Sequence, residues 1–226
     1  MSTTRKFALS GAFAVACIVA ALAAPDWGVA TAAEPPAEWD GLQLTPSKKV
    51  TRLYLRPGAS LKGYKHVRLE RLQVAFDKNW NPNSSRVGTN RLTADDFEKI
   101  KKALADEFAK VWAKDLADAG YDVVTAPGED VLDVTPFVVD LYIAAPDKPT
   151  AGRSRTYTAD PGRMTLVAEL RDSDTGQILA RAIDARAHSW STFMVASSVT
   201  NMSAASQMIS RWASVLIDAL NEANGR

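Results

Sequence analysis

Cysteine and histidine are the scarce residues in this chain. Cys17 is the sole cysteine among 226 residues, which excludes an intramolecular disulfide framework and a cysteine-based zinc site. His66 and His188 are the only histidines, so one chain cannot assemble a centre of three histidine ligands. No Gly-x-Ser-x-Gly elbow, phosphate-cradling glycine loop or dinucleotide fingerprint occurs. Charge of one sign is also lacking overall, at a formal net +1. With 46% hydrophobic and 23% charged residues the composition is that of a globular chain, against wholesale disorder or a fibre.

What is present begins with an address. Arg5 and Lys6 precede an apolar run from Phe7 to Ala24, and small residues follow at Ala21-Leu22-Ala23 and Ala30-Thr31-Ala32. A basic head, an apolar middle and a small-x-small tail read as a signal peptide over residues 1–33, with Glu34 as the first mature residue. The run is short and alanine-rich for a membrane span. Cys17 is the one candidate for lipidation, because Ala14-Val15-Ala16-Cys17 loosely resembles a lipobox. Ala14 stands where leucine is usual, and Ile18 to Ala24 prolongs the apolar run, which favours an ordinary small residue inside the signal. Export makes nucleic acid an unsuitable partner.

Residues 34–47 hold Pro35, Pro36, Gly41 and Pro46 and read as a proline-containing tether. Residues 48–226 read as a single α+β domain. Val67 to Phe76 reads as a strand with a phase change near Glu70-Arg71, hence a bulge. Thr93 to Ala119 reads as an amphipathic helix, with Phe97, Ile100, Leu104, Phe108, Val111 and Leu116 on one stripe, Thr93 as cap and Gly120 as stop. Tyr121 to Thr125 is a short strand, and Phe137 to Ala144 alternates as a longer one. Met164–Arg171 and Gln177–Arg186 flank Asp172-Ser173-Asp174-Thr175-Gly176, a hairpin signal. Met202 to Ala223 is a second amphipathic helix. The expected architecture is one largely antiparallel sheet of four to six strands, with the two amphipathic helices packed on one face.

Chemistry-bearing clusters are few. Asp172, Asp174 and Gly176 imitate the start of a calcium loop, but the position that needs a bidentate glutamate is Ile183, so they read as a turn. Neither histidine has a metal-motif neighbour, and Asp95/Asp96 have a helix-start explanation. No catalytic residue, cofactor or metal is assigned on these grounds.

Charge is unevenly spread. From Lys48 to Arg71 eight residues are basic and one is acidic; from Thr93 to Asp147 thirteen are acidic and five basic. The two stretches can neutralise each other across the fold, or the basic one can bind anionic envelope components. Arg52, Arg56, Lys62 and Lys65 are the candidate contacts there. The long connection from Ala145 to Arg163 adds Arg153, Arg155 and Tyr157, residue types suited to a carboxylate, a phosphate or an interface.

The runs Ala151-Gly152-Arg153-Ser154-Arg155-Thr156-Tyr157, Met164 to Ser173 and Tyr54-Leu55-Arg56-Pro57-Gly58-Ala59 point further. Together with Asp40-Gly41-Leu42 and Asn79-Trp80, they resemble the bacterial family catalogued as domain of unknown function 3313. The resemblance implies an exported protein, often a lipoprotein, and brings no catalytic residue. The expected function is non-catalytic binding or scaffolding of an envelope protein or anionic envelope component, in the periplasm or at the outer membrane. The alternatives are an envelope hydrolase using carboxylates and an auxiliary subunit of an envelope transport or assembly machine.

Overall fold

The computed structural model describes residues 35–84, 86–88, 91–144, 146, 156–158, 162–188 and 194–226. The signal stretch 1–33, Cys17, Arg153 and Arg155 lie outside the described residues.

The chain opens with three short strands, β1 (Glu38–Trp39), β2 (Leu42–Thr45) and β3 (Arg52–Leu55). Two more, β4 (His66–Leu69) and β5 (Gln73–Phe76), precede helix α1 (Ala94–Asp118). Then come β6 (Asp122–Val123), the long β7 (Val131–Ile143), β8 (Thr156–Thr158), β9 (Gly162–Asp172), β10 (Ile178–His188), β11 (Met194–Ala196) and helix α2 (Ser198–Asn224). Among the described residues, nine strands form one mixed sheet in the order β1-β2-β3-β10-β9-β7-β4-β6, with β5 also paired to β7; β8 and β11 form a separate pair.

The sheet therefore differs from the expected four to six largely antiparallel strands. β4 and β5 run parallel to β7, and β6 runs parallel to β4. The physical reason lies at Glu70-Arg71-Leu72. What reads as one bulged strand is two, because Leu72 turns inward and is buried, and both pieces dock on the same edge of β7. Local alternation cannot reveal that pairing, since it depends on the crossover through α1.

The stretch read as a tether also carries regular structure. Asp40 and Gly41, at φ 56° and 75°, make a two-residue hairpin turn that pairs Trp39 with Leu42. Leu42 is fully buried. The proline count hid an Asp-Gly turn signal. In β7 the alternation shifts at Asp140, whose φ of 54° marks a bulge and leaves both Val138 and Leu141 inside.

Each helix begins on a capping box. The Thr93 hydroxyl accepts from the Asp96 backbone N–H while the Asp96 carboxylate accepts from the Thr93 N–H; Ser197 and Thr200 do the same for α2. Both helices lie on one face of the sheet and run parallel. Ser206 Oγ donates to Glu107 Oε1 and Ser210 Oγ to Asp115 Oδ2, both at 2.7 Å. Every second residue of β9 from Gly162 to Leu170 is buried beneath them. Phe108, Trp112 and Leu116 of α1 meet Ile209, Trp212 and Leu216 of α2 in the same core.

The opposite face is held by charge and aromatic contact. Arg181 pairs with Glu169 and with Asp40, and its guanidinium lies 3.9 Å over the Trp39 ring, which meets Tyr54 edge-on. Asp184 is buried on the helix side, where it accepts from the Trp212 indole at 2.9 Å and from Thr51.

Candidate functional site

The helix layer is not filled along its whole length. Between the N-terminal halves of α1 and α2 and the ends of β7 and β9 lies a cavity of about 310 Å³. That is the lower end of the range for small-molecule sites. Its α1 wall is Ile100, Ala103 and Leu104; its α2 wall is Met202, Ala204, Ala205 and Met208. Leu141, Ile143 and Met164 close it from the sheet.

The wall is built by specific contacts. Asn83 clamps Leu92, accepting from its N–H at 2.7 Å and donating to its carbonyl at 2.9 Å. The Trp80 indole donates to the Ile143 carbonyl at 2.9 Å and stacks on Phe76, with Phe97 against both rings. Gly162 has no substitute here, because a Cβ would run into the Tyr142 carbonyl oxygen on the neighbouring strand.

Three charged residues, Asp96, Lys99 and Arg163, are among those that line the cavity. Arg163 stacks 4.1 Å over the Tyr142 ring and bonds Asp77 at 3.0 Å. The Asn79 backbone N–H, and after it Arg163, hold the Asp77 carboxyl below the usual carboxylate range. Lys99 bonds Asp95 at 2.6 Å, which pushes the lysine up. Asp96 is engaged in the α1 capping box.

The residues singled out from the sequence are elsewhere. Arg52 is exposed on β3 and Lys62 is exposed before β4. Arg56 donates to the carbonyls of Ile178 and Asp40, bracing the first hairpin. Lys65 lies 4.0 Å from Asp130. Tyr157 sits on β8, paired in register with Val195. Arg52, Arg56, Lys62 and Lys65 do not line the cavity. Much of the basic stretch is matched by the acidic one: Arg68 grips Asp133, Arg71 reaches Asp106 at 3.3 Å, and His66 stands 3.6 Å from both Asp122 and Asp130. Among the described residues, no group of three or more histidine, cysteine, aspartate or glutamate side chains is placed to hold a metal, and no helix is long and apolar enough to cross a membrane.

Sequence reasoning missed the cavity. Its one legible trace is the cluster of alanine and methionine from Met202 to Met208, where small and pliable side chains replace the bulky ones of the later turns.

These features define a class: a mixed α/β sheet covered on one face by two parallel helices that part over an apolar pocket. The chain belongs to the family described as Protein of unknown function (DUF3313), which matches residues 35–216. No curated protein matches the sequence. Among solved structures, it is similar to the PelC dodecamer from Paraburkholderia phytofirmans at 11% identity and a TM-score of 0.36, covering 70% of this chain and 93% of that one. It is also similar to protein XCC0632 from Xanthomonas campestris, of family DUF330, at 13% identity and a TM-score of 0.39, covering 74% and 88%.

Proposed function

We propose that this protein is an exported, non-catalytic binding protein of the bacterial cell envelope, and that the cavity between α1, α2 and the sheet is its contact site. The observation that carries the reading is the cavity itself: a space of about 310 Å³ lined chiefly by aliphatic and thioether side chains, with Asp96, Lys99 and Arg163 as its charged lining residues. Such a lining gains from excluding water and offers little to polarise a bond. The basic head and apolar run of residues 5–24 support export. The surface-patch alternative is weakened by the ion pairs of Lys65, Arg68 and Arg71 with the acidic stretch, which leave Lys48, Arg52 and Lys62 as scattered exposed cations.

The location is tested by fractionating cells that produce the full chain and weighing the recovered protein intact. The expected product is in the envelope fraction, with its N-terminus processed near Glu34. Recovery from the cytosol with Met1 in place contradicts the reading. A product that begins at a lipidated Cys17 moves the cleavage position while keeping the envelope assignment.

A further inference from the structure

We infer that Asn224 is a deamidation site gated by the last turn of α2: the residue converts when that turn opens, and the product keeps the turn from closing again. The inference is independent of the binding reading of the cavity and of where the protein resides.

The sequence supplies the reactive pair. Asn224 is followed by Gly225, and no other asparagine in the chain precedes a glycine. Glycine has no Cβ to shield its backbone nitrogen, so that nitrogen can reach the neighbouring carboxamide. In the reaction the Gly225 nitrogen bonds to Asn224 Cγ while the Cγ–Nδ2 bond breaks. The Gly225 amide proton leaves with Nδ2 as ammonia, and a cyclic succinimide remains. Water then opens the ring at either carbonyl to give aspartate or isoaspartate, with no change of oxidation state.

The fold holds the pair in an unreactive pose. Asn224 Nδ2 donates back along the helix to the Leu220 carbonyl at 2.8 Å and across to the Tyr64 carbonyl at 3.4 Å. Its Oδ1 accepts from the Gly63 N–H at 2.9 Å. The Gly225 N–H is itself taken up by the carbonyls of Asn221 and Glu222 as the helix cap. Attack therefore requires the carboxamide to leave its partners and the cap to break, which is a local opening of the last turn. Tyr121 holds that turn from the side, its hydroxyl donating to Asn221 Oδ1 at 2.8 Å.

Conversion alters the same contacts. An oxygen replaces Nδ2, so an acceptor faces the carbonyls of Leu220 and Tyr64 where a donor stood. The new carboxylate also adds negative charge at the C-terminal end of α2, where the helix dipole disfavours it. The clasp that ties this turn to the approach of β4 is lost.

Peptide mapping of the purified full chain, held at mildly alkaline pH with and without unfolding urea, tests the gate. Conversion is expected in the tryptic peptide 212–226, about tenfold slower in the folded chain than in urea. Tyr121→Phe keeps the ring and loses the bond to Asn221, and is expected to convert about threefold faster than wild type when folded. Hydrogen exchange over residues 220–226 is expected to be about tenfold faster in Asn224→Asp than in wild type. Equal conversion in folded and unfolded chain removes the gate, and no conversion in either removes the site. Exchange in Asn224→Asp as slow as in wild type overturns the one-way step. The urea comparison uses the wild-type chain and stands even where a variant fails to fold.

Discussion

Towards the C-terminal ends of α1 and α2, the space above the sheet is filled by Phe108, Trp112, Leu116, Trp212 and Leu216, none more than 7% exposed. Towards their N-terminal ends the same space is lined by Ala103, Ala204, Ala205 and two methionines, and it stays open. The two halves have the same apolar periodicity, so the difference is side-chain volume rather than patterning. A closed half anchors the helices; an open half holds a void without collapse because Asn83, Trp80 and Gly162 brace its walls. Dense packing and open space thereby lie at opposite ends of one layer.

The largest effect is expected in the closed half. Trp212→Ala removes a buried indole and one of the donors to Asp184, which should cost about 4 kcal/mol in urea unfolding. A pair of matched substitutions sharpens the contrast. Ala213 is fully buried in the closed half, so Ala213→Leu overpacks it and should cost about 2 kcal/mol. Ala205→Leu adds the same atoms to the open half and should be neutral or stabilise by up to about 1 kcal/mol. Equal losses at both positions would erase the distinction.

The smallest effect is a pH dependence at the far end of the closed half, where Tyr64 donates to Asp172 Oδ2 at 2.7 Å. The hydrogen bond from the Thr175 hydroxyl, then that from Tyr64, holds the Asp172 carboxyl below the usual carboxylate range. Its contribution is present above about pH 4 and is lost as pH falls through the lowered folded value. Burial, then the Asp172 hydrogen bond, pushes the Tyr64 phenol up. That contribution is complete below about pH 10 and is lost as pH rises beyond it. Melting temperatures of Tyr64→Phe should therefore fall less than wild type at both extremes; parallel curves would remove the pair from the account.

Legibility in the sequence followed the length of the pattern. α1, α2 and the β9–β10 hairpin each carry a long period bounded by caps or an Asp/Gly turn, so their existence could be read directly. β1, β2 and β3 have two to four residues, too few to show a period, and the sheet was undercounted for that reason and because β4 and β5 read as one strand. Parallel docking of β4 and β5 on β7 is a tertiary fact that no local signal carries. Trp112, buried against Phe108, lay just off the stripe that was read from spacing. The charge asymmetry was visible, but its resolution was not: Arg68 finds Asp133 because β4 and β7 lie in parallel register, sixty-five residues apart in the chain. The cavity was the least legible feature, since a void is defined by the volumes of side chains from four elements at once.

A crystal structure of the full chain tests the contrast between the two halves most directly. The account predicts open space between Ile100 and Met202 beside a filled layer of Phe108, Trp112 and Trp212. A cavity closed by Met202 and Met208, with the N-terminal halves packed as tightly as the C-terminal ones, would contradict it.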